Sequence, residues 1–152
     1  MISSQPQNTI PHRDPFIWVT RLMQRDVVEG GIVRGVVELD LDIANPIFRG
    51  HFPSEPVFPG VLQIEAGAQA CLWILLGPQE PGALMPDGLL ISIDGFKFRS
   101  IVKPPGTVQI TCEKIKQKSW LQYWKCEISY GGKLCASGHF WLGLNPPSRS
   151  ET

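Results

Sequence analysis

Val61–Leu76, VLQIEAGAQACLWILL, decides the architecture. These sixteen residues are mostly good helix formers, with Pro59-Gly60 in front and Gly77-Pro78 behind, the punctuation of a helix start and stop. Apolar side chains fall all around the helical wheel, and a helix apolar on every side is a buried helix. A long buried helix needs something to cover it, and the flanking sequence supplies strands.

Ile32 to Leu41 alternates: Val33, Val37, Leu39 and Leu41 share one parity, and Arg34, Glu38 and Asp40 the other. Leu89 to Phe98 reads as another strand, with a bend or bulge at Asp94-Gly95. Thr107 to Lys118, Trp120 to Tyr130 and Lys133 to Leu144 form an antiparallel meander, its last hairpin closed by Gly131-Gly132. In the middle strand Trp124, Cys126, Ile128 and Tyr130 share one face, while Lys125, Glu127 and Ser129 share the wet one. In the strand before it, Val108, Ile110 and Cys112 have the parity of Lys114, Lys116 and Lys118. That strand therefore either bulges near Glu113 or runs past the core. The whole predicts an α+β domain in which a curved antiparallel sheet wraps one central helix. Residues 1–9 are expected to form a flexible arm, 10–145 the single domain, and 146–152 a flexible tail.

Composition narrows the partners. At 152 residues the chain is one domain's worth, and at 43% apolar with only 18% charged it is no disordered segment. Average soluble proteins carry roughly 25% charged residues. So little charge leaves much of a monomer's surface uncovered and points to an oligomer. Fourteen basic and fourteen acidic groups cancel, which gives no general pull toward nucleic acid or an anionic membrane. The charge is nevertheless divided: residues 1–96 carry five basic and eleven acidic groups, and residues 97–152 nine basic and three acidic. The second half suits an acidic partner or is simply a solvated face. Cys71, Cys112, Cys126 and Cys135 lack CxxC spacing and read as buried thiols, not as a metal site. Neither a secretion signal nor a membrane-spanning run is evident, so the cytoplasm is the expected compartment.

Two features invite chemistry. Glu65 is the sole ionisable group in the helix, with Gln69 one turn later on the same face. Either burial raises its pKa and makes it a proton donor, or Gln63, Glu65 and Gln69 form a wet stripe. Just upstream, the proline-stiffened loop Gly50-His51-Phe52-Pro53-Ser54-Glu55-Pro56-Val57-Phe58-Pro59-Gly60 delivers a histidine beside the helix N-terminus. Free backbone N–H groups there favour developing negative charge.

These residues resemble a family. Ile10-Pro11-His12-Arg13-Asp14-Pro15-Phe16 comes first, then Gly50-His51-Phe52-Pro53 and Pro59-Gly60-Val61-Leu62 with Glu65-Ala66 and Ala68-Gln69. Ile93-Asp94-Gly95-Phe96-Lys97-Phe98-Arg99 and Pro105-Gly106 follow in order. Together they are similar to the FabZ-type β-hydroxyacyl-acyl-carrier-protein dehydratases, over about residues 10–143. The resemblance implies a hot-dog fold, a homodimer or trimer of dimers, and active sites shared between subunits, with no metal or organic cofactor. By position, His51 would be the catalytic histidine and Glu65 the catalytic acid. Gly60 would offer its N–H to the thioester carbonyl, Gln69 would orient Glu65, and Gln69, Phe52 and Gly67 would lie on the substrate side. Acidic acyl carrier protein would meet Lys97, Arg99 and Lys103. His12 is expected to be structural, and His139 lies on the strand face opposite Ala136 and Phe140.

The implied activity is that of a hydro-lyase, converting a (3R)-hydroxyacyl thioester to the trans-2-enoyl thioester in fatty acid or polyketide-type biosynthesis. A hot-dog thioesterase and a noncatalytic acyl-binding partner subunit are the alternatives. The chain departs from the family pattern at Ala44-Asn45-Pro46-Ile47-Phe48, at Thr20, and at Gly67, where methionine is usual. A mid-helix glycine costs about 1 kcal/mol relative to alanine. Gly67 therefore implies space or close packing beside the catalytic face, and an acyl pocket shaped for an unusual chain.

Overall fold

The structure, a computed structural model, describes residues 5–145 except 30, 32, 84 and 85. Strands β1 (Arg21–Val27) and β2 (Val33–Leu41) come first, followed by the one-turn helix α1 (Ile47–Gly50) and the long helix α2 (Gly60–Leu76). Strands β3 (Asp87–Phe98), β4 (Gly106–Lys118), β5 (Leu121–Tyr130) and β6 (Lys133–Asn145) complete the chain. The six strands form one antiparallel sheet in the order β1-β2-β4-β5-β6-β3. Helix α2 touches β1, β2, β3, β4 and β5, which a single straight helix does only when the sheet curls around it. This is the hot-dog arrangement.

The alternating residues supply the core. Val33, Val37, Leu39 and Leu41 of β2, Val108, Ile110 and Cys112 of β4, and Trp124, Cys126 and Ile128 of β5 are buried against Ala66, Ala70, Trp73 and Ile74 of α2. Glycines appear where the helix comes closest. A Cβ on Gly35 would lie 2.8 Å from Ile74 Cγ1, and one on Gly67 would lie 2.8 Å from Cys126 Sγ and 3.0 Å from Phe140 Cζ. The last turn of α2 is tied to β1 by Arg25, whose guanidinium donates to the carbonyls of Ile74 and Leu75 at 2.6 and 2.9 Å.

Two expectations are corrected. Residues 5–9 do not trail as an arm: Pro6–Asn8 form a 3-10 turn, and Pro6 and Thr9 are buried ahead of Ile10. Residues 1–4 and the tail at 146–152 lie outside the described residues. The irregularity in β4 falls at Ile115, between the pairs Lys114↔Trp124 and Lys116↔Tyr123. Before it Lys114 stays on the inward parity and is buried; after it the parity flips, and Lys116 lies over the outer-face rings of Tyr123 and Trp141. The bend within β3 stands where the sequence placed it, with the register shifting between Asp94 and Lys97 and Gly95 at φ +57°. No described helix is long and apolar enough to cross a membrane.

Candidate active site

The loop before α2 folds back on itself. Val57 N–H donates to the His51 carbonyl at 2.9 Å, and Phe52 and Glu55 exchange main-chain bonds at 2.9 and 3.1 Å. The imidazole is fixed in the same way, with His51 Nδ1 2.8 Å from the Val57 carbonyl oxygen. A carbonyl only accepts, so Nδ1 carries a hydrogen, and in the neutral imidazole Nε2 is the nitrogen with the lone pair. Phe52 stacks on the ring at 4.0 Å between centroids and is half exposed. The loop then delivers Gly60 to the first position of α2. Among the described residues no group accepts a hydrogen bond from the Gly60 N–H, the orphan donor that a helix start leaves.

Glu65 is held from two sides. Gln69 Nε2 donates to Glu65 Oε1 at 3.0 Å, and His12 Nε2 lies 3.3 Å from the same oxygen. Among the described residues nothing bonds Oε2. The Gln69 amide also donates to the Phe16 carbonyl at 2.8 Å and accepts from the Trp18 N–H at 2.9 Å. One buried glutamine thus pins the N-terminal motif, and His12 with it, onto the acid-bearing turn of the helix. Glu65 and His12 face a cleft walled by Ala68, Leu72 and Leu75 of α2, Leu89 and Leu90 of β3, and Trp124 of β5.

Several expected residues sit elsewhere. Gln69 is fully buried and its amide is spent on three protein partners, so it positions Glu65 and does not contact substrate. Gly67 opens no pocket: its bare face is filled by Cys126 and Phe140, and close packing alone explains the glycine. His12, expected to be structural, is the residue the sequence reading missed. Its motif was visible, but 53 residues separate it from Glu65, and the bridging Gln69 shows itself only in three dimensions. Within one chain His51 does not line the Glu65 cleft.

His51 is bonded instead to Val57, which with Phe58, Phe98 and Arg99 walls the cavity beside Gly60; His51 itself is not among the lining residues. Arg99 Nη1 donates to Ser137 Oγ at 2.7 Å, Lys103 pairs with Glu55 of the His51 loop, and Lys97 is exposed on β3. All four cysteines are free and buried. Burial pushes the Cys71 and Cys112 thiols up, and the bond with Cys112, together with burial, raises Cys126. Among the described residues no cluster of three His, Cys, Asp or Glu could hold a metal ion.

A helix wrapped by a curled sheet is the hot-dog fold, and an imidazole before the helix start with a carboxyl one turn inside are groups suited to acid–base chemistry. Residues 32–139 match the ApeI-like family, described as ApeI dehydratase. The chain is 37% identical over 140 residues to the 3-hydroxyacyl-[acyl-carrier-protein] dehydratase FabZ of Anaeromyxobacter sp. (strain Fw109-5), covering 91% of this chain and 86% of that one. It is 33% identical over 144 residues to the FabZ of Bacillus pumilus (strain SAFR-032), covering 95% and 96%. Its fold matches the dehydratase heterocomplex ApeI:P from Xenorhabdus doucetiae with a TM-score of 0.71 at 16% identity, over 95% of this chain and 93% of that one. A putative thioesterase, yhdA of Lactococcus lactis, shares the fold at a TM-score of 0.61 and 15% identity, over 86% and 94%. The chain belongs to the ApeI-like dehydratase family and is a hydro-lyase related to FabZ.

Proposed function

We propose that the protein removes water from a (3R)-3-hydroxyacyl thioester carried on acyl carrier protein, giving the trans-2-enoyl thioester in fatty acid biosynthesis. One observation carries this reading: each reacting atom is left free by bonds that occupy its neighbour. His51 Nδ1 is committed to Val57, which leaves Nε2 as the base for the α proton. Glu65 Oε1 accepts from Gln69 and lies 3.3 Å from His12 Nε2, so it is the engaged oxygen, which leaves Oε2 to carry the transferable proton. As Nε2 takes the α proton, electron density moves onto the thioester oxygen, where the Gly60 N–H meets it. Losing a donor of this kind typically costs about a hundredfold in rate. The β carbon–oxygen bond then breaks as Glu65 protonates the departing hydroxyl, and water leaves.

Within one chain His51 does not line the cleft that Glu65 faces, so the working site takes His51 from one protomer and Glu65 from its partner. An isologous homodimer supplies two such sites, and a trimer of dimers six. Arg99 stands beside the Gly60 cavity and Lys103 beside the His51 loop, and with Lys97 they suit docking of an acidic carrier protein in the cytoplasm. Polyketide-type acyl chains belong to the same reading.

The test is incubation with a 3-hydroxyacyl carrier-protein thioester, following water loss by mass beside His51→Ala and Glu65→Gln variants. Wild-type turnover is expected to fall at least about a hundredfold in each. Unchanged turnover in both variants would overturn the roles, and release of free thiol without an enoyl product would favour a thioesterase.

A further inference from the structure

Gln122, on the inward face of β5, is 5% exposed and lines the cleft that Glu65 faces. Trp124 Nε1–H donates to its Oε1 at 3.0 Å. An indole nitrogen only donates, so this bond sets the orientation of the amide and leaves Nε2, with both its hydrogens, as the end not engaged by Trp124. Among the described residues no group accepts from Nε2. The cleft wall around it is apolar, made by Leu72, Leu75, Leu142 and Leu144.

The position along the cleft follows from register. Strand β3 runs against α2, with Phe98 packed at Gly60 and Gly88 packed on Leu72. Gln122 pairs with Leu142, and Leu142 with Leu90, two residues from Gly88. Gln122 is therefore level with the Leu72 part of the helix, and Leu72 lies two turns, about 10 Å, beyond Glu65. An acyl chain whose β carbon sits at Glu65 lays its distal part along this stretch.

We infer that Gln122 is a specificity-determining residue, and that the preferred acyl chain carries a hydrogen-bond acceptor, a hydroxyl or carbonyl oxygen, at its distal end. This inference rests on the dehydratase reading. A buried donor left unmatched is costly, so a plain methyl end that covers Nε2 binds less well than an oxygen that meets it. An unusual chain was expected from Gly67; the residue that reads the chain is on the sheet instead.

The test compares two 3-hydroxyacyl carrier-protein thioesters of equal length, one ending in methyl and one in a terminal hydroxyl. Wild type should favour the hydroxyl-ended chain by about tenfold in kcat/KM. Gln122→Leu should erase that preference while still turning over the methyl-ended chain. Gln122→Glu keeps an acceptor for Trp124, so the fold does not depend on the leucine variant; because its carboxylate can accept from a hydroxyl, it is assayed with a chain ending in a methyl ketone, which only accepts, and should show no preference for that chain over the methyl-ended one. Equal kcat/KM for the two thioesters in wild type, or a preference unchanged in both variants, overturns the inference alone. Failure to dehydrate either thioester overturns the dehydratase reading and this inference with it.

Discussion

A carboxyl that gives up a proton must hold it on the oxygen that faces the substrate. In Glu65, the His12 imidazole and the Gln69 amide both crowd Oε1, so the selection is made before substrate arrives. His12 acts through Glu65, as a positioning residue. His12→Ala should lower kcat about tenfold, the worth of one polar contact, with KM little changed. His12→Gln carries a side-chain N–H of similar reach and should recover most of the loss. Steady-state kinetics on the carrier-protein thioester check this. A change confined to KM, or a glutamine variant no better than alanine, would show that His12 serves only the local fold. Gly67 shows the opposite outcome at the same scale. A methionine there would drive into Cys126 and Phe140, so the glycine and its neighbours form one packing solution.

At the scale of the element, β4 repays attention because its two halves obey different rules. Up to Cys112 it alternates as a core strand; then Lys114 keeps the inward parity and is buried, with its ammonium donating, among the described residues, only to Gln117 Oε1 at 3.1 Å. Burial pulls the Lys114 pKa down from its ordinary value. An unfolded lysine titrates near about 10.4, so between the folded value and that one the unfolded chain holds more protons and stability rises with pH. Below the folded value the cost of the buried charge is present in full. Lys114→Met should therefore raise Tm at neutral pH, and the gain should shrink as pH climbs toward about 10.4. Thermal melts of both proteins across that range check the sign, and a gain independent of pH would assign the effect to packing.

The same strand shows what sequence patterns carry and what they lose. Period two located β2, β5 and β6 because one face of each is dry and the other wet. The bulge at Ile115 breaks the period, so its place could not be read from parity alone. Strand β1, RLMQRDV, was not visible: only Leu22 among its residues is fully buried, and its own register shift lies between Leu22 and Gln24. The single turn of α1 is too short for any helical period. Of the candidate site, His51, Glu65 and Gly60 were named from their motifs. The three-way bonding of Gln69 and the amide of Gln122 depend on contacts between distant segments, which no spacing encodes.

For the molecule as a whole, the unfinished edge is β3. Leu89, Ile91, Ile93 and Phe98 are each between 45% and 48% exposed on an edge strand, and Phe52 of the His51 loop and Val61 of α2 are also uncovered. An edge with free main-chain groups and so much apolar surface is suited to being covered, and under the homodimer proposal a second copy of the chain would cover it with matching chemistry. Shared sites give a prediction that single-chain sites cannot imitate. In a dimer of one His51→Ala chain and one Glu65→Gln chain, one site receives both lesions. The other site pairs the intact His51 of the second chain with the intact Glu65 of the first. Each variant alone is inactive, yet co-refolding equal amounts should restore about a quarter of wild-type activity, since half of randomly formed dimers are mixed and each mixed dimer has one whole site. If both residues of a site came from one chain, every mixed dimer would stay dead and the mixture would show no recovery. Turnover after co-refolding, with tagged chains to confirm that mixed dimers formed, decides between the two arrangements.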